Sequence, residues 1–146
     1  MPHPWIDVFL PPEATESFVR STVANLRFDD VGEAGFVLLF PIRRNLITRR
    51  FFNVPESTNG WFYLFDILPS APAPGPNSAW VAEKLQRNRN IYEQARALGG
   101  KFYSISAVSL TPADWAHQFG ARYAEFTSLK NLHDPDRVLT PGPNVF

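Results

Sequence analysis

GFVLLFPI (residues 35–42) and WFYLFDIL (residues 61–68) decide the fold. Each is a run of eight residues dominated by aliphatic and aromatic side chains, the composition of a strand. The connection between them holds Arg43, Arg44, Arg49 and Arg50 with Asn45, Ile47 and Phe51, and no helical stretch. Two strands in succession favour antiparallel pairing over a parallel βαβ repeat. Residues 35–42 are apolar at both parities, so burial on both faces is expected. The four arginines can meet phosphate, but no Gly-rich cradle accompanies them, and a solvated loop is the simpler reading.

Ahead of this pair, residues 5–10 (WIDVFL) alternate as a third strand, ended by Pro11-Pro12. Pro12 suits the first turn of a helix whose stripe is Ala14, Phe18, Thr22 or Val23, and Leu26. Behind the pair, PSAPAPGP (residues 69–76) is a short stiff link, too short for a domain boundary. Asn77 or Ser78 can cap the next helix, whose face is Val81, Leu85, Asn88, Tyr92 and Ala95. Gly99-Gly100 stops it, and residues 102–108 read as the last strand. Thr111 to Asp114 then has the form of a capping box. Trp115, Phe119, Tyr123 and Phe126 follow at helical spacing and read as packing. Gly120 within that helix costs about 1 kcal/mol against alanine, so a close approach is expected there.

The order is strand, helix, strand, strand, helix, strand, with an extra helix and a Pro/Gly-rich tail. This is an α+β fold: a four-stranded antiparallel sheet in the split, ferredoxin-like β-α-β-β-α-β order, with both helices on one face. One parity collects Ile6, Val8, Leu10, Val37, Leu39, Tyr63, Phe65, Ile67, Tyr103, Ile105 and Ala107, nearly all apolar, and belongs under the helices. The other collects Trp5, Asp7, Phe36, Leu38, Leu64, Asp66, Leu68, Ser104 and Ser106. That mixture suits a ligand or an adjoining domain better than water or a closed core. Asp7 and Asp66 share it and could form an acid–base pair, although each could equally hydrogen-bond a neighbour.

Composition narrows the function. A net charge of zero offers no field for nucleic acid or an anionic membrane. Without cysteine there is no disulfide, thiolate catalysis or Cys-based zinc site. His3, His117 and His133 have no metal-ligand spacing. No run approaches the ~18 apolar residues of a membrane span. The N-terminus lacks a signal-peptide pattern, which favours the cytoplasm.

The tail NLHDPDRVLTPGPNVF (residues 131–146) is turn chemistry with apolar anchors at Val138, Leu139, Val145 and Phe146. By itself it reads as an ordered tail closing over a core. Asp134, Pro135, Val138, Leu139, Thr140, Pro141, Gly142 and Phe146 also resemble the C-terminus of FAD-linked oxidases of the vanillyl-alcohol oxidase type. The likeness then sharpens. PHPWIDVFLP, GFVLLFPIRRN, WFYLFDIL, the Gly-Gly strand and the block from Asp114 to Phe146 resemble successive blocks of the cytokinin dehydrogenases. The resemblance covers the whole chain, but only the C-terminal portion of such an enzyme. It implies residues 1–130 as part of a cytokinin-binding domain and residues 131–146 as a return segment toward a flavin domain that this chain lacks.

Those enzymes oxidise the side-chain amine of isoprenoid adenines to an imine, passing hydride to FAD; hydrolysis then releases adenine and an aldehyde. The resemblance implies Trp5, Asp7, Phe36, Leu38, Leu68 and Ser106 at the substrate, and Pro141, Gly142 and Pro143 at the flavin. Asp7 stands where the plant enzymes carry Asn, Phe36 for Pro, Ser106 for Leu, and Pro143 where Gln is common. No Gly-His-Ser segment for a covalent flavin and no Gly-rich phosphate loop is present, and the family's catalytic Asp and Glu lie upstream of the matched region. Inactivity alone, no tightly bound FAD, and either a separate flavin-binding partner or self-association through the mixed face are therefore expected. Another amine or alcohol substrate, or a stand-alone ligand-binding or dimerisation module, are the alternatives.

Overall fold

The computed structural model describes residues 1–139 and 142–146. The chain divides into two compact units: residues 1–48 with 54–108, and residues 49–53 with 109–146. No helix among the described residues is long and apolar enough to cross a membrane.

The first unit is α+β, as the strand and helix pattern predicts. Its elements are β1 (Ile6–Leu10), α1 (Pro12–Ala24), the one-turn α2 (Phe28–Val31), β2 (Phe36–Arg43), β3 (Trp61–Leu68), α3 (Ser78–Ala97) and β4 (Lys101–Phe102). The four strands form one sheet in the order β2-β3-β1-β4, with every neighbouring pair antiparallel. Ile6, Val8, Leu10, Phe65 and Ile67 are fully buried. Phe18 of α1 meets Phe65 edge-on at 5.7 Å, and Tyr92 of α3 meets Phe102 at 5.7 Å, which fixes the helix-covered face.

Three expectations are corrected here. First, β2 is not buried on both faces. Phe36, Val37, Leu38, Leu39 and Phe40 are all exposed. β2 is the outer strand, and α1 and α3 pack mainly over β3, β1 and β4. Second, the last strand is two residues long and starts at Lys101, so Phe102 takes the helix-side place and Tyr103 packs on Phe9 of the opposite face at 5.0 Å. Gly100 permits that early start, because a side chain there would meet the carbonyl oxygens of Ala95 and Phe9 within 3 Å. Third, the buried stripe of α3 is Lys84, Asn88, Ile91, Tyr92 and Ala95, while Leu85 faces out.

Lys84 is wholly buried against the Asp30 carboxylate at 2.8 Å, and Asp29 and Glu83 approach it as well. Burial would raise the Asp30 pKa, but the Lys84 ammonium, the Arg27 backbone N–H and the Arg87 charge outweigh it and bring it to about 2. Asn88, also fully buried, donates its amide to the carbonyls of Pro4 and Trp5 and ties α3 to the start of β1.

The second unit contains α4 (Pro112–Phe119) and α5 (Tyr123–His133). Thr111 and Asp114 form the expected capping box. Gly120 has φ +56° and breaks the stretch into two helices; nothing lies within 4 Å of where its side chain would be, so no close approach occurs there. The aromatic stripe does pack. Phe119 lies 5.9 Å from Trp115 and 4.8 Å from Phe126, and Phe126 meets Phe146 at 5.0 Å.

The tail is anchored by Val145, which is buried, and by Phe146. Its carbonyls are held too: Pro143 accepts from the Trp115 indole at 2.8 Å and Val145 from the Tyr123 hydroxyl at 2.7 Å. Val138 and Leu139, expected as anchors, are exposed. Their backbone N–H groups are instead capped by the buried Asp134 carboxylate.

Candidate ligand-binding face

Register assembles the site. Leu38 of β2 stands opposite Asp66 of β3, which stands opposite Asp7 of β1. One row along, Phe36 stands opposite Leu68. Trp5, one residue ahead of β1, continues the alternation onto the same face. Five of the six residues assigned to substrate therefore lie on neighbouring rows of the face turned away from α1 and α3. The other end of this face is covered: Phe9, Phe62 and Leu64 form a core with Ile42, Ile47, Val54 and Tyr103. The mixed face is thus a packed floor at one end and a half-open patch at the other.

Ser106 reaches the patch by a different route from the one the sequence suggests. It lies in a turn beyond β4, not on a strand. Its hydroxyl accepts from the Asp7 backbone N–H at 2.8 Å and lies within donating reach of the Asp7 carbonyl (2.9 Å) and carboxylate (3.2 Å).

Asp7 and Asp66 are both almost fully buried. Burial raises the Asp7 pKa despite its hydrogen bonds to Asp66 and Ser106. Burial, then the charge of Asp7 and the bond to it, push Asp66 up to about 7. Two neighbouring buried carboxyls cannot both ionise cheaply, so the pair keeps a proton to a higher pH than either acid would alone. The Oδ1 atom of Asp66 is buried without a hydrogen-bond partner among the described residues. Chemically the pair can accept a hydrogen bond or bind a cation while keeping a proton to donate. Asp66 is not among the six residues assigned to the substrate, but the alternation puts it on the mixed face as a candidate acid–base partner of Asp7, and the register sets it opposite that residue. Its signal is a lone acid in the apolar run WFYLFDIL; what makes it a partner of Asp7 is register, which that run does not encode.

The three residues assigned to the flavin lie in the second unit or outside the described residues. Pro141 lies outside them. Gly142 adopts φ +69°, and the Pro143 carbonyl is occupied by Trp115. Pro and Gly offer no side-chain donor, so any contact from these positions to a flavin would come from the backbone.

An antiparallel sheet with helices on one face and a proton-sharing acid pair among aromatic and aliphatic residues on the other defines a small-ligand domain of α+β class. Residues 1–146 match the protein family described as "Cytokinin dehydrogenase 1, FAD and cytokinin binding", and the chain belongs to that family. Among its relatives, an uncharacterized oxidoreductase, ORF5 of the fasciation locus of Rhodococcoides fascians, is 36% identical over 97% of the chain and 30% of that protein. Cytokinin dehydrogenase 2 of Arabidopsis thaliana is 28% identical over 100% of the chain and 28% of the enzyme. Cytokinin dehydrogenase 8 of Oryza sativa subsp. indica is 30% identical over 100% and 28%. The chain spans less than a third of the length of these relatives.

Proposed function

We propose that this chain is the C-terminal substrate-binding segment of an FAD-dependent oxidoreductase of the cytokinin dehydrogenase type, and that it is inactive alone. The carrying observation is the patch of Trp5, Phe36, Leu38 and Leu68 around the Asp7–Asp66 pair. Its apolar members suit the flat faces of an adenine and the isoprenoid chain it bears. The acid pair suits an N–H donor or a protonated amine, and Ser106 holds Asp7 in position. Residues 1–130 contribute to the substrate domain, and residues 131–146 return toward a flavin-binding portion that supplies the electron acceptor and the catalytic acid and base. In this reading Pro141, Gly142 and Pro143 give the flavin a backbone contact.

In protein that joins the chain to a flavin-binding portion, Trp5→Ala is expected to cut kcat/KM for isopentenyladenine about tenfold or more, with little change in melting temperature. Equal losses of stability and activity would make Trp5 a packing residue. Asp7→Asn is expected to shift the pH profile of kcat/KM or the preference among amines; an unchanged profile removes Asp7 from the site.

The acid pair also favours a second reading, that the substrate is another amine or alcohol. A comparison of isopentenyladenine with simple allylic amines separates the two. A stand-alone module that self-associates is a third, favoured by the exposed apolar β2.

A further inference from the structure

We propose that the turn between β2 and β3 holds a phosphate-binding pocket, separate from the ligand face. Arg43 and Trp61 are register partners at the end of the hairpin, opposite the end where Phe36 pairs with Leu68. Seven residue steps separate the two ends, roughly 23 Å at strand spacing. An open cavity of about 620 Å³ lies there, with Arg43, Asn45, Asn59, Gly60 and Trp61 in its wall.

Counting donors and acceptors identifies the ligand chemistry. The acceptors around the pocket are mostly engaged. Asn59 Oδ1 accepts from the Trp61 backbone N–H at 3.0 Å and from the Ser57 hydroxyl at 3.3 Å. The Gly60 carbonyl accepts from the Arg44 backbone N–H at 2.9 Å, and the Pro55 carbonyl from Arg44 Nε at 3.1 Å. Arg44 is itself neutralised by a two-oxygen contact with Glu56.

The donors remain. With its oxygen fixed, Asn59 turns its NH2 the other way. Asn45 adds a carboxamide. The Arg43 side chain has no ion pair or hydrogen bond among the described residues; its guanidinium lies over the Trp61 ring at 4.9 Å. Stacking restrains the guanidinium plane and leaves its N–H fork free, the arrangement that binds two oxygens of a phosphate. One uncompensated cation with amide donors and few free acceptors selects an acceptor-rich anion. The cavity is open to solvent on one side, so the organic part of a phosphate ester can extend outward from it. The sequence alone favours a solvated loop for these arginines, because the cradle here comes from side chains brought together by the hairpin and not from a Gly-rich run.

The test is a titration of the isotope-labelled chain with adenosine monophosphate, adenosine and inorganic phosphate, following the backbone amides of Asn45, Asn59 and Gly60. Saturable shifts with the monophosphate or with phosphate, and none with adenosine, are expected. Tighter binding of the monophosphate assigns the site to phosphate esters; equal binding assigns it to the free anion. Arg43→Gln should weaken binding about tenfold or more while Arg43→Lys keeps part of it, with melting temperatures unchanged because Arg43 is exposed. Adenosine binding as well as its monophosphate, affinity unaltered in Arg43→Gln, or no saturable shift up to about 10 mM ligand would each overturn the proposal.

Discussion

Asp66 is the residue whose environment makes the clearest statement about pH. Its folded pKa is about 7 against an ordinary 3.8. Below about pH 4 it is protonated folded or unfolded and has no effect on stability. Between about pH 4 and 7 the unfolded chain releases the proton while the folded chain keeps it, so its contribution to stability falls as pH rises, then levels off. Asp30 has the opposite sign: with a folded pKa of about 2, its stabilisation is present above about pH 4 and is lost as pH falls toward 2. Urea midpoints measured from pH 3 to 8 should show the alkaline-side decline reduced in Asp66→Asn and the acid-side decline retained. A decline of unchanged slope in Asp66→Asn would mean that the pair does not share a proton. Lys84→Met should cost about 3 kcal/mol in urea unfolding, since it removes the buried ammonium at 2.8 Å from the Asp30 carboxylate and leaves only Arg27, at 3.4 Å, and Arg87, at 3.6 Å, to compensate it. Asp7 was legible in the sequence as a site residue. Lys84 was not, because a lysine on a helix reads as solvent-facing until its partner Asp30, far away in the chain, is brought to it.

At the scale of elements, the tail and β2 carry the predictions. Removing residues 142–146 takes away buried Val145, the Phe146 contact and the acceptors for Trp115 and Tyr123. The expected loss is about 3 kcal/mol in the second unit, read by near-UV circular dichroism of its aromatics during urea unfolding. An unchanged transition would show that those contacts contribute nothing. The first three strands, both long helices and the aromatic stripe were readable from periodicity, because each is set by its own residues; the last strand, read over residues 102–108, is only Lys101–Phe102. The exposure of β2 was not. Five apolar residues in a row imply burial only if something covers them, and strand order leaves β2 on the edge. The α4–α5 break was missed for a local reason: Gly120 serves there by its positive φ, whereas the sequence reading assigned it a tight contact.

In the proposed reading the first unit supplies one wall of a binding site. Its sheet is closed by helices on one side and offers the acid pair and its apolar surround on the other, and an apolar outer strand is left exposed. Such surface tends to find a partner. Sedimentation of the purified chain is expected to show a dimer or larger species, and Leu38→Lys with Phe40→Lys should shift it to monomer; a wild-type monomer would count against an adhesive face. The family and its C-terminal position were legible because the matching blocks run the length of the chain. The placing of Ser106 by a turn was not, since the last strand ends four residues before it.

The central claim is that these residues supply the substrate wall and neither the flavin site nor the catalytic acid and base. Tight FAD binding needs a grip on the diphosphate and a pocket for the rings, and catalysis needs the reacting groups held in one geometry. The most direct measurement is isopentenyladenine-dependent dye reduction by the purified chain after incubation with FAD and desalting, with the visible spectrum recorded on the same sample. A colourless protein that reduces no dye is the predicted result. A yellow protein that turns over isopentenyladenine would contradict the account.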